Sequence, residues 1–194
     1  MEDREKTRKQ DIFEAAARLF RDKGYSATSM RDLARAVKLK APSLYNHIQS
    51  KTELLREICF ANAKKFLEEM DKVEKMNASA SEKLKALLRL HIRTALQDVT
   101  SVTSFNDEWR HLCEPDLSNF KALRRDYESR FQAILEQGIA DGEFRKLEPT
   151  VMLYTLLSSV RWLYDWFIPG KKITAIQVEN DLLCLLMEGV VNHS

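Results

Sequence analysis

The chain of 194 residues has few of the residues that interrupt helices or cross-link chains: 5 glycines, 4 prolines and 3 cysteines. This scarcity, together with the lack of alternating apolar and polar runs, argues against a β-rich fold and predicts an all-helical protein. The cysteines, Cys59, Cys113 and Cys184, are widely spaced and odd in number. They therefore argue against a disulfide framework and favour reduced core residues of a cytoplasmic protein.

Long apolar runs are missing too. None approaches the length of about 18 residues that a membrane-spanning helix needs, and the first residues, MEDREKTRKQ, are charged. We therefore expect no membrane partner and no secretory signal. Enzyme motifs are also absent, because the sequence has no phosphate-binding loop, no glycine-rich dinucleotide fingerprint and no Cys-x-x-Cys pair. The sequence predicts neither an enzyme nor a cofactor.

Charge is unevenly distributed along the chain, although the net charge is only +2. Residues 1–56 contain 13 basic and 8 acidic side chains, whereas the remainder contains 18 basic and 21 acidic side chains. A basic N-terminal part on a mildly acidic body favours one nucleic-acid-binding end. A solvated basic face is the alternative interpretation.

Local signals predict several helix ends. Gly24 ends the first helix, and a long helix over about 116–140 is followed by a turn at Gly142. The predicted N-terminal caps are Thr28 or Ser29 for the second helix, Ser50 with Glu53 at the capping-box position for the fourth, and Ser81 for the fifth.

Residues 28–51 predict two short helices joined by a tight turn. Pro42 suits the first turn of the second helix, where its missing N–H has no partner to lose, and Leu44 and Ile48 anchor that helix inward. Hydrogen-bonding side chains between basic residues would then face outward, as a helix in the DNA major groove requires. Apolar residues at helical spacing give the first helix its buried face: Met30, Leu33, Ala34 and Val37.

Between about residues 8 and 56 many residues form an ordered pattern: Ile12-Phe13-Glu14-Ala15-Ala16, Leu19-Phe20, Gly24-Tyr25, Thr28-Ser29-Met30, Leu33-Ala34, Leu44-Tyr45-Asn46-His47, Ser50-Lys51 and Leu54-Leu55. In this pattern the chain resembles the tetracycline-repressor (TetR) family of transcription regulators. The resemblance implies a homodimeric repressor with a helix–turn–helix DNA-binding domain over 1–56 and a helical ligand-binding and dimerisation domain over 57–194.

The chain departs from the family pattern at two positions. The family often has Gly where Lys38 stands in the turn, and Ser or Thr where Lys40 precedes the second helix. Lys38 would strain the turn if the backbone there has a positive φ.

The resemblance also implies the side chains that contact an operator. Ser43 and Asn46 would face base edges, whereas Tyr45, His47 and Lys51 would mostly bind phosphates. The full set of predicted contacts with double-stranded DNA is Thr28, Arg31, Lys40, Ala41, Pro42, Ser43, Tyr45, Asn46, His47 and Lys51.

The last two predicted helices, over 149–167 and 173–191, contain more apolar residues than a small bundle needs to bury. We expect them to form the homodimer interface, since a symmetric DNA reader needs two recognition helices. A thick intramolecular core is the alternative. The residues expected at the interface are Leu156, Val160, Leu163, Leu182, Leu186 and Val190.

An effector pocket is predicted in the second domain, where polar His91 lies on the apolar stripe of a helix. Its predicted lining is His91, Phe105, Trp109, Tyr127, Phe131 and Trp162. A hydrogen-bonded core histidine among ordinary core aromatics is the alternative interpretation.

The second domain contains a dispersed set of motifs: Glu108-Trp109-Arg110, Arg125, Tyr127, Phe131, Gly138-Ile139, Gly142, Phe144, Trp162, Trp166 and Pro169-Gly170. These residues are similar to those of a TetR subgroup that senses acyl-coenzyme A thioesters. The similarity implies a small hydrophobic effector of that class, with Arg124, Arg125 or Arg161 near the coenzyme A; an uncharged aromatic molecule is the alternative.

Glu108 and His111 have the Glu-x-x-His spacing of a di-iron helix, but a second such motif is missing, so no metal site is predicted. A helical metal-binding enzyme that uses these two residues is the alternative to a regulator.

Overall fold

The computed structural model describes residues 2–98, 108–167 and 173–191. These residues form helices joined by short turns, which confirms the all-α prediction, and one isolated antiparallel bridge pairs Phe144 with Val191. None of the described helices is long and apolar enough to cross a membrane. The helices are α1 Glu2–Lys23, α2 Met30–Ala36, α3 Ala41–Tyr45, α4 Lys51–Glu74, α5 Ala80–Gln97, a 3-10 helix Glu108–His111, α6 Asp116–Ala140, α7 Pro149–Ser159, α8 Leu163–Trp166 and α9 Ala175–Val190.

The chain divides into two compact units. The first contains the described residues of Met1–Lys64 and Thr100–Ala122, and the second those of Lys65–Val99 and Leu123–Ser194. The domain boundary expected after residue 56 therefore falls within α4, which contributes residues to both units. Residues 108–122, expected in the second domain, pack with the first unit instead. The functional division at 56 and 57 stays a prediction.

Helix ends in the first unit follow from local sequence. Gly24 ends α1 with a φ of 83°, a left-handed conformation that costs little without a Cβ. The side chain of Ser50 accepts the N–H of Glu53 at 3.0 Å and so caps α4, as predicted. Glu53 in turn accepts the N–H of Gln49 at 2.7 Å, one residue earlier than a standard capping box requires.

The start of α5 differs from the sequence-based prediction. Ser79, not the expected Ser81, caps this helix, because Ser79 and Glu82 exchange both bonds of a capping box. Ser81 instead donates its backbone N–H to the Glu143 carboxylate at 2.9 Å, and Ala80 does so at 3.1 Å. A carboxylate from a distant loop therefore satisfies two N–H groups at the helix start, which no local pattern could indicate.

The helix predicted over 149–167 is interrupted in the structure. Helix α7 ends at Ser159, and α8 begins at Leu163. The Ser159 hydroxyl donates to the carbonyl of Leu156 at 2.6 Å, a local bond that competes with continuation of the helix.

Most of the residues expected at the dimer interface lie inside their own chain. Leu156, Val160, Leu163, Leu182 and Val190 are at most 9% exposed, and Leu186 is partly exposed. The alternative of an intramolecular core is therefore correct for these five residues. The expectation of three core cysteines was also wrong, since only Cys59 is buried.

Candidate operator-binding surface and effector site

A capping box fixes the start of α2. The Ser29 hydroxyl accepts the N–H of Asp32 at 3.2 Å, and the Asp32 carboxylate accepts the N–H of Ser29 at 3.0 Å. The Ser29 hydrogen bonds, and next the charge of Lys23, lower the pKa of Asp32 to about 2. The cap is Ser29 and not Thr28, which was the other candidate that the sequence offered.

The turn between α2 and α3 contains the departures from the family pattern. Lys38 has a φ of 54°, the left-handed conformation in which glycine is favoured. Lys40 lies at the N-cap of α3 without a side-chain hydrogen bond to the helix. The turn therefore has at Lys38 the positive φ for which strain was expected, and α3 begins without the side-chain cap that a Ser or Thr would provide.

Helix α3 presents its polar face to solvent. Leu44 and Ile48 are fully buried and fix the orientation of the segment, whereas Tyr45 is 51% exposed. The predicted contacts that are exposed are Arg31, Lys40, Pro42, Tyr45 and Asn46; those partly exposed are Ala41, Ser43, His47 and Lys51.

Tyr25 links the start of α4 to the 3-10 helix. Lys51 Nζ lies 4.1 Å from the centroid of the Tyr25 ring on one side, and the His111 ring stacks against it at 5.0 Å. The Tyr25 N–H donates to Glu108 Oε1 at 3.0 Å, and its hydroxyl lies 3.1 Å from Thr52 Oγ1. These contacts connect Tyr25, which follows α1, to the start of α4 and to residues 108–111 within the first unit.

A polar pair lies among aromatic rings in the second unit. His91 Nε2 and Tyr127 Oη are 2.7 Å apart, and the Phe66 ring lies 4.8 Å from the His91 ring. Burial lowers the pKa of His91 to about 4 and raises the pKa of Tyr127, so both side chains are neutral near pH 7. As a whole residue, His91 is partly exposed.

Two family models match the chain. The model of the tetracyclin repressor-like C-terminal domain matches residues 77–190, more than half of the sequence, and the model of bacterial regulatory proteins of the tetR family matches residues 12–58. The chain belongs to the TetR family. It is therefore a DNA-binding transcription regulator of the repressor type, and not an enzyme.

Similar proteins include transcription regulators. The HTH-type transcriptional repressor KstR2 of Mycolicibacterium smegmatis is 25% identical over 186 residues, which cover 95% of this chain and 91% of that protein. The structure of the ketosteroid transcriptional regulator KstR2 of Mycobacterium tuberculosis shares the fold with a TM-score of 0.89 at 24% identity, covering 96% of each chain. The structure of AibR in complex with isovaleryl coenzyme A and operator DNA has a TM-score of 0.81 at 30% identity, covering 93% of this chain and 98% of AibR.

Two of the predicted operator contacts have structural roles in this TetR chain. Thr28 is 2% exposed, and its hydroxyl donates to the carbonyls of Gly24 and Leu19 at 2.9 and 3.3 Å. Lys51 Nζ donates to the carbonyls of Tyr25 and Thr28 at 2.6 and 2.8 Å. The assignment of the Thr28 side chain to DNA is thus corrected, because its only polar atom is buried and occupied. Lys51 has one of its three N–H donors left for a phosphate.

The structure brings together only part of the predicted effector set. His91, Tyr127 and Phe131 adjoin one another, since the Tyr127 and Phe131 rings are 6.2 Å apart. Trp109 belongs to the first unit, where it packs against Phe120. Trp162 is 46% exposed and contacts Trp166. Phe105 lies outside the described residues.

Sequence reasoning missed Phe66, which contacts both His91 and Tyr127. Its helical spacing in α4 placed it on an apolar face but could not place it opposite α5. The side chains of Glu108 and His111 contact each other at 3.4 Å. No group of three or more possible metal ligands occurs within the described ranges.

Proposed function

We propose that this protein is a ligand-released repressor that binds an inverted-repeat operator as a homodimer in the cytoplasm. The observation that carries the proposal is the orientation of α3, whose apolar anchors are fully buried while its polar face is exposed. Effector binding then shifts the population toward a conformer with low operator affinity, in proportion to the effector's preference for that conformer. Helix α4, which contributes residues to both units, would transmit the change.

Operator binding is tested with a matched pair of exposed side chains. Tyr45 on α3 is 51% exposed, and Leu147, between α6 and α7, is 50% exposed. Tyr45→Ala should weaken binding to all DNA sequences because it removes a phosphate contact, whereas Asn46→Ala should alter sequence preference. Leu147→Ala should leave DNA affinity unchanged in the same gel-shift titration. Equal DNA affinity of Tyr45→Ala and wild type would contradict the assignment of α3.

The dimer interface is assigned to the outward faces of α7 and α9, since their inward faces are occupied within the chain. Val151 on α7 is 62% exposed and Leu185 on α9 is 70% exposed. Sedimentation of a Val151→Glu, Leu185→Glu variant should show folded monomers. Leu147, which is 50% exposed between α6 and α7, provides the control, and Leu147→Glu should remain dimeric. A fully dimeric double variant would place the interface elsewhere.

The effector is proposed to be an acyl-coenzyme A thioester. Support comes from the neutral His91–Tyr127 pair among aromatic rings, which suits a mostly apolar ligand with one polar anchor. AibR, 30% identical to this chain, binds isovaleryl coenzyme A in its solved structure. Thermal shifts and DNA release should therefore follow addition of acyl-coenzyme A species and not of free coenzyme A. If no acyl-coenzyme A raised the melting temperature, this effector class would be wrong.

An uncharged aromatic effector is the second candidate. The observation in its favour is that the rings around the polar pair, those of Phe66, Tyr127 and Phe131, can stack on another aromatic surface. Such a ligand needs no cations for a phosphate-bearing group. Release of DNA by aromatic compounds alone in the same panel would favour this candidate over the thioester.

A further inference from the structure

Three uncharged polar side chains lie on the inner side of α5 and α6 in the second unit. His91 and Tyr127 form the pair described above. Thr94 follows His91 by three residues on α5 and therefore lies on nearly the same face of the helix. Thr94 is 3% exposed, yet its hydroxyl has no hydrogen-bond partner among the described residues. Buried hydroxyl groups are almost always bonded, so this hydroxyl is available to a bound ligand.

The His91–Tyr127 pair also has hydrogen-bonding capacity left over. The neutral pair has two polar hydrogen atoms, one on the imidazole and one on the phenol, and one of them forms the bond between the two side chains. If Tyr127 donates to Nε2, the Nδ1–H of His91 remains; if Nε2–H donates, the phenol O–H remains. In either arrangement one donor is available to an occupant, and within the described part of the chain His91 Nδ1 has no bonding partner.

The ring neighbours of His91 in the described part of the chain carry no formal charge: they are Phe66, Tyr127 and Phe131. On α6, Arg130 is paired with Asp71 and Glu74, and Arg124 is paired with Glu128. A carboxylate placed among these rings would lose its hydration, and these two arginines already hold carboxylates, which disfavours its binding. An uncharged carbonyl would receive a hydrogen bond at little electrostatic cost.

We infer that His91, Thr94 and Tyr127 bind the carbonyl oxygen of an acyl thioester and exclude the free carboxylate of the same acyl chain. The inference rests on the proposed effector class and names the chemical selectivity of that site. Its physical basis is that the three side chains supply donors without a formal charge. The protein would thus respond to the activated acyl group and not to the free acid that hydrolysis of the thioester releases.

Calorimetry on the full-length protein tests this selectivity. The probes are isovaleryl- and octanoyl-coenzyme A, their N-acetylcysteamine thioesters, and the two free acids. The N-acetylcysteamine thioesters lack the coenzyme A phosphates, so their comparison with the acids isolates the carbonyl. At pH 7 the thioesters should bind at least about 10-fold more tightly than the matched acids, a difference of about 1.4 kcal/mol.

Substitutions that keep the shape of the cluster should remove this preference. Tyr127→Phe deletes only the phenol oxygen, and Thr94→Val replaces a hydroxyl by a methyl group. Each should reduce the discrimination between thioester and acid, whereas Tyr154→Phe, at an exposed tyrosine, should not. Because a core substitution can impair folding, the carbonyl resonance of a 13C-labelled thioester provides a second measurement in the wild-type protein. Binding should shift that resonance downfield, as a hydrogen bond to the oxygen requires.

The outcomes separate the inference from the proposed function. Acids that bind as tightly as thioesters, or an unshifted carbonyl resonance, would overturn the carbonyl assignment while acyl-coenzyme A could still release DNA. If no acyl-coenzyme A or thioester bound at all, the effector class and the carbonyl assignment would both be wrong. Thioester binding that was identical in wild type, Tyr127→Phe and Thr94→Val would also overturn the assignment.

Discussion

The two units differ in where their candidate recognition side chains lie: at the surface in the first unit and in the interior in the second. In the first unit, Leu44 and Ile48 are fully buried beneath α3, and its hydrogen-bonding residues face solvent. In the second unit, Thr94 is buried and His91 bonds to Tyr127 among aromatic rings. An outward polar face suits a highly charged polymer that stays in water, whereas an inward one suits a small molecule that leaves water. The same helical architecture therefore supports two kinds of recognition.

The largest effect should come from placing a charge at a buried position of α9, compared with the same change at an exposed position. Leu182 is 9% exposed and Leu185 is 70% exposed, although they are three residues apart. Leu182→Glu buries an unpaired charge and should lower the free energy of unfolding by more than about 3 kcal/mol. Leu185→Glu should keep a native circular dichroism spectrum. Similar melting behaviour of the two variants would contradict the orientation of α9.

Lys51 was predicted as a phosphate contact, but its ammonium group bonds within its own chain. Lys51→Met should lower the free energy of unfolding by about 2 kcal/mol, since it removes two charge-assisted hydrogen bonds to Tyr25 and Thr28. Exposed Lys65 supplies the control, and Lys65→Met should be nearly neutral. If Lys51→Met left stability unchanged and only reduced the salt dependence of DNA binding, Lys51 would act chiefly as a phosphate contact.

A smaller effect is expected at the turn of the helix–turn–helix. Lys38→Gly should raise the free energy of unfolding by up to about 1 kcal/mol, because glycine adopts the observed φ of 54° without a Cβ clash. Lys38→Ala retains the Cβ and should not stabilise the protein. Chemical denaturation of the two variants checks this prediction, and equal stability of Lys38→Gly and Lys38→Ala would argue against strain at this position.

The smallest effect concerns the cap of α2 and its dependence on pH. The pKa of Asp32 is about 2 in the folded protein against 3.8 as the ordinary value, so its contribution to stability is present above pH 4. That contribution should be lost as pH falls from about 4 to 2, because the folded-state carboxylate becomes protonated. The stability difference between wild type and Asp32→Asn should therefore shrink over this range. A difference that is constant with pH would show that the carboxylate charge has no role.

Features that depend on neighbouring residues were predictable from the sequence. The limits of α6, Asp116–Ala140, agree with the predicted helix, and the turn at Lys38 has the positive φ that its place in the family pattern suggested. Gly24 ends α1 as expected. In each case a cap, a turn or a helical repeat within a few residues decides the structure.

Features that depend on distant residues were not predictable. The Glu143 carboxylate at the start of α5 comes from a loop more than sixty positions away. Trp109 and Tyr127 are both aromatic, and only tertiary packing assigns them to different units. The role of Thr94 was not predictable for the same reason, since the sequence does not indicate whether a threonine inside a helix has a hydrogen-bond partner.

The central claim is that operator binding by this TetR protein is released by an acyl thioester. The most direct test is the fluorescence anisotropy of an operator that the dimer itself selects from genomic DNA, titrated with isovaleryl- and octanoyl-coenzyme A. The account predicts that at least one acyl-coenzyme A lowers the anisotropy to that of free DNA, while free coenzyme A and the free acids do not. Anisotropy that stays at the bound value at saturating acyl-coenzyme A would contradict it.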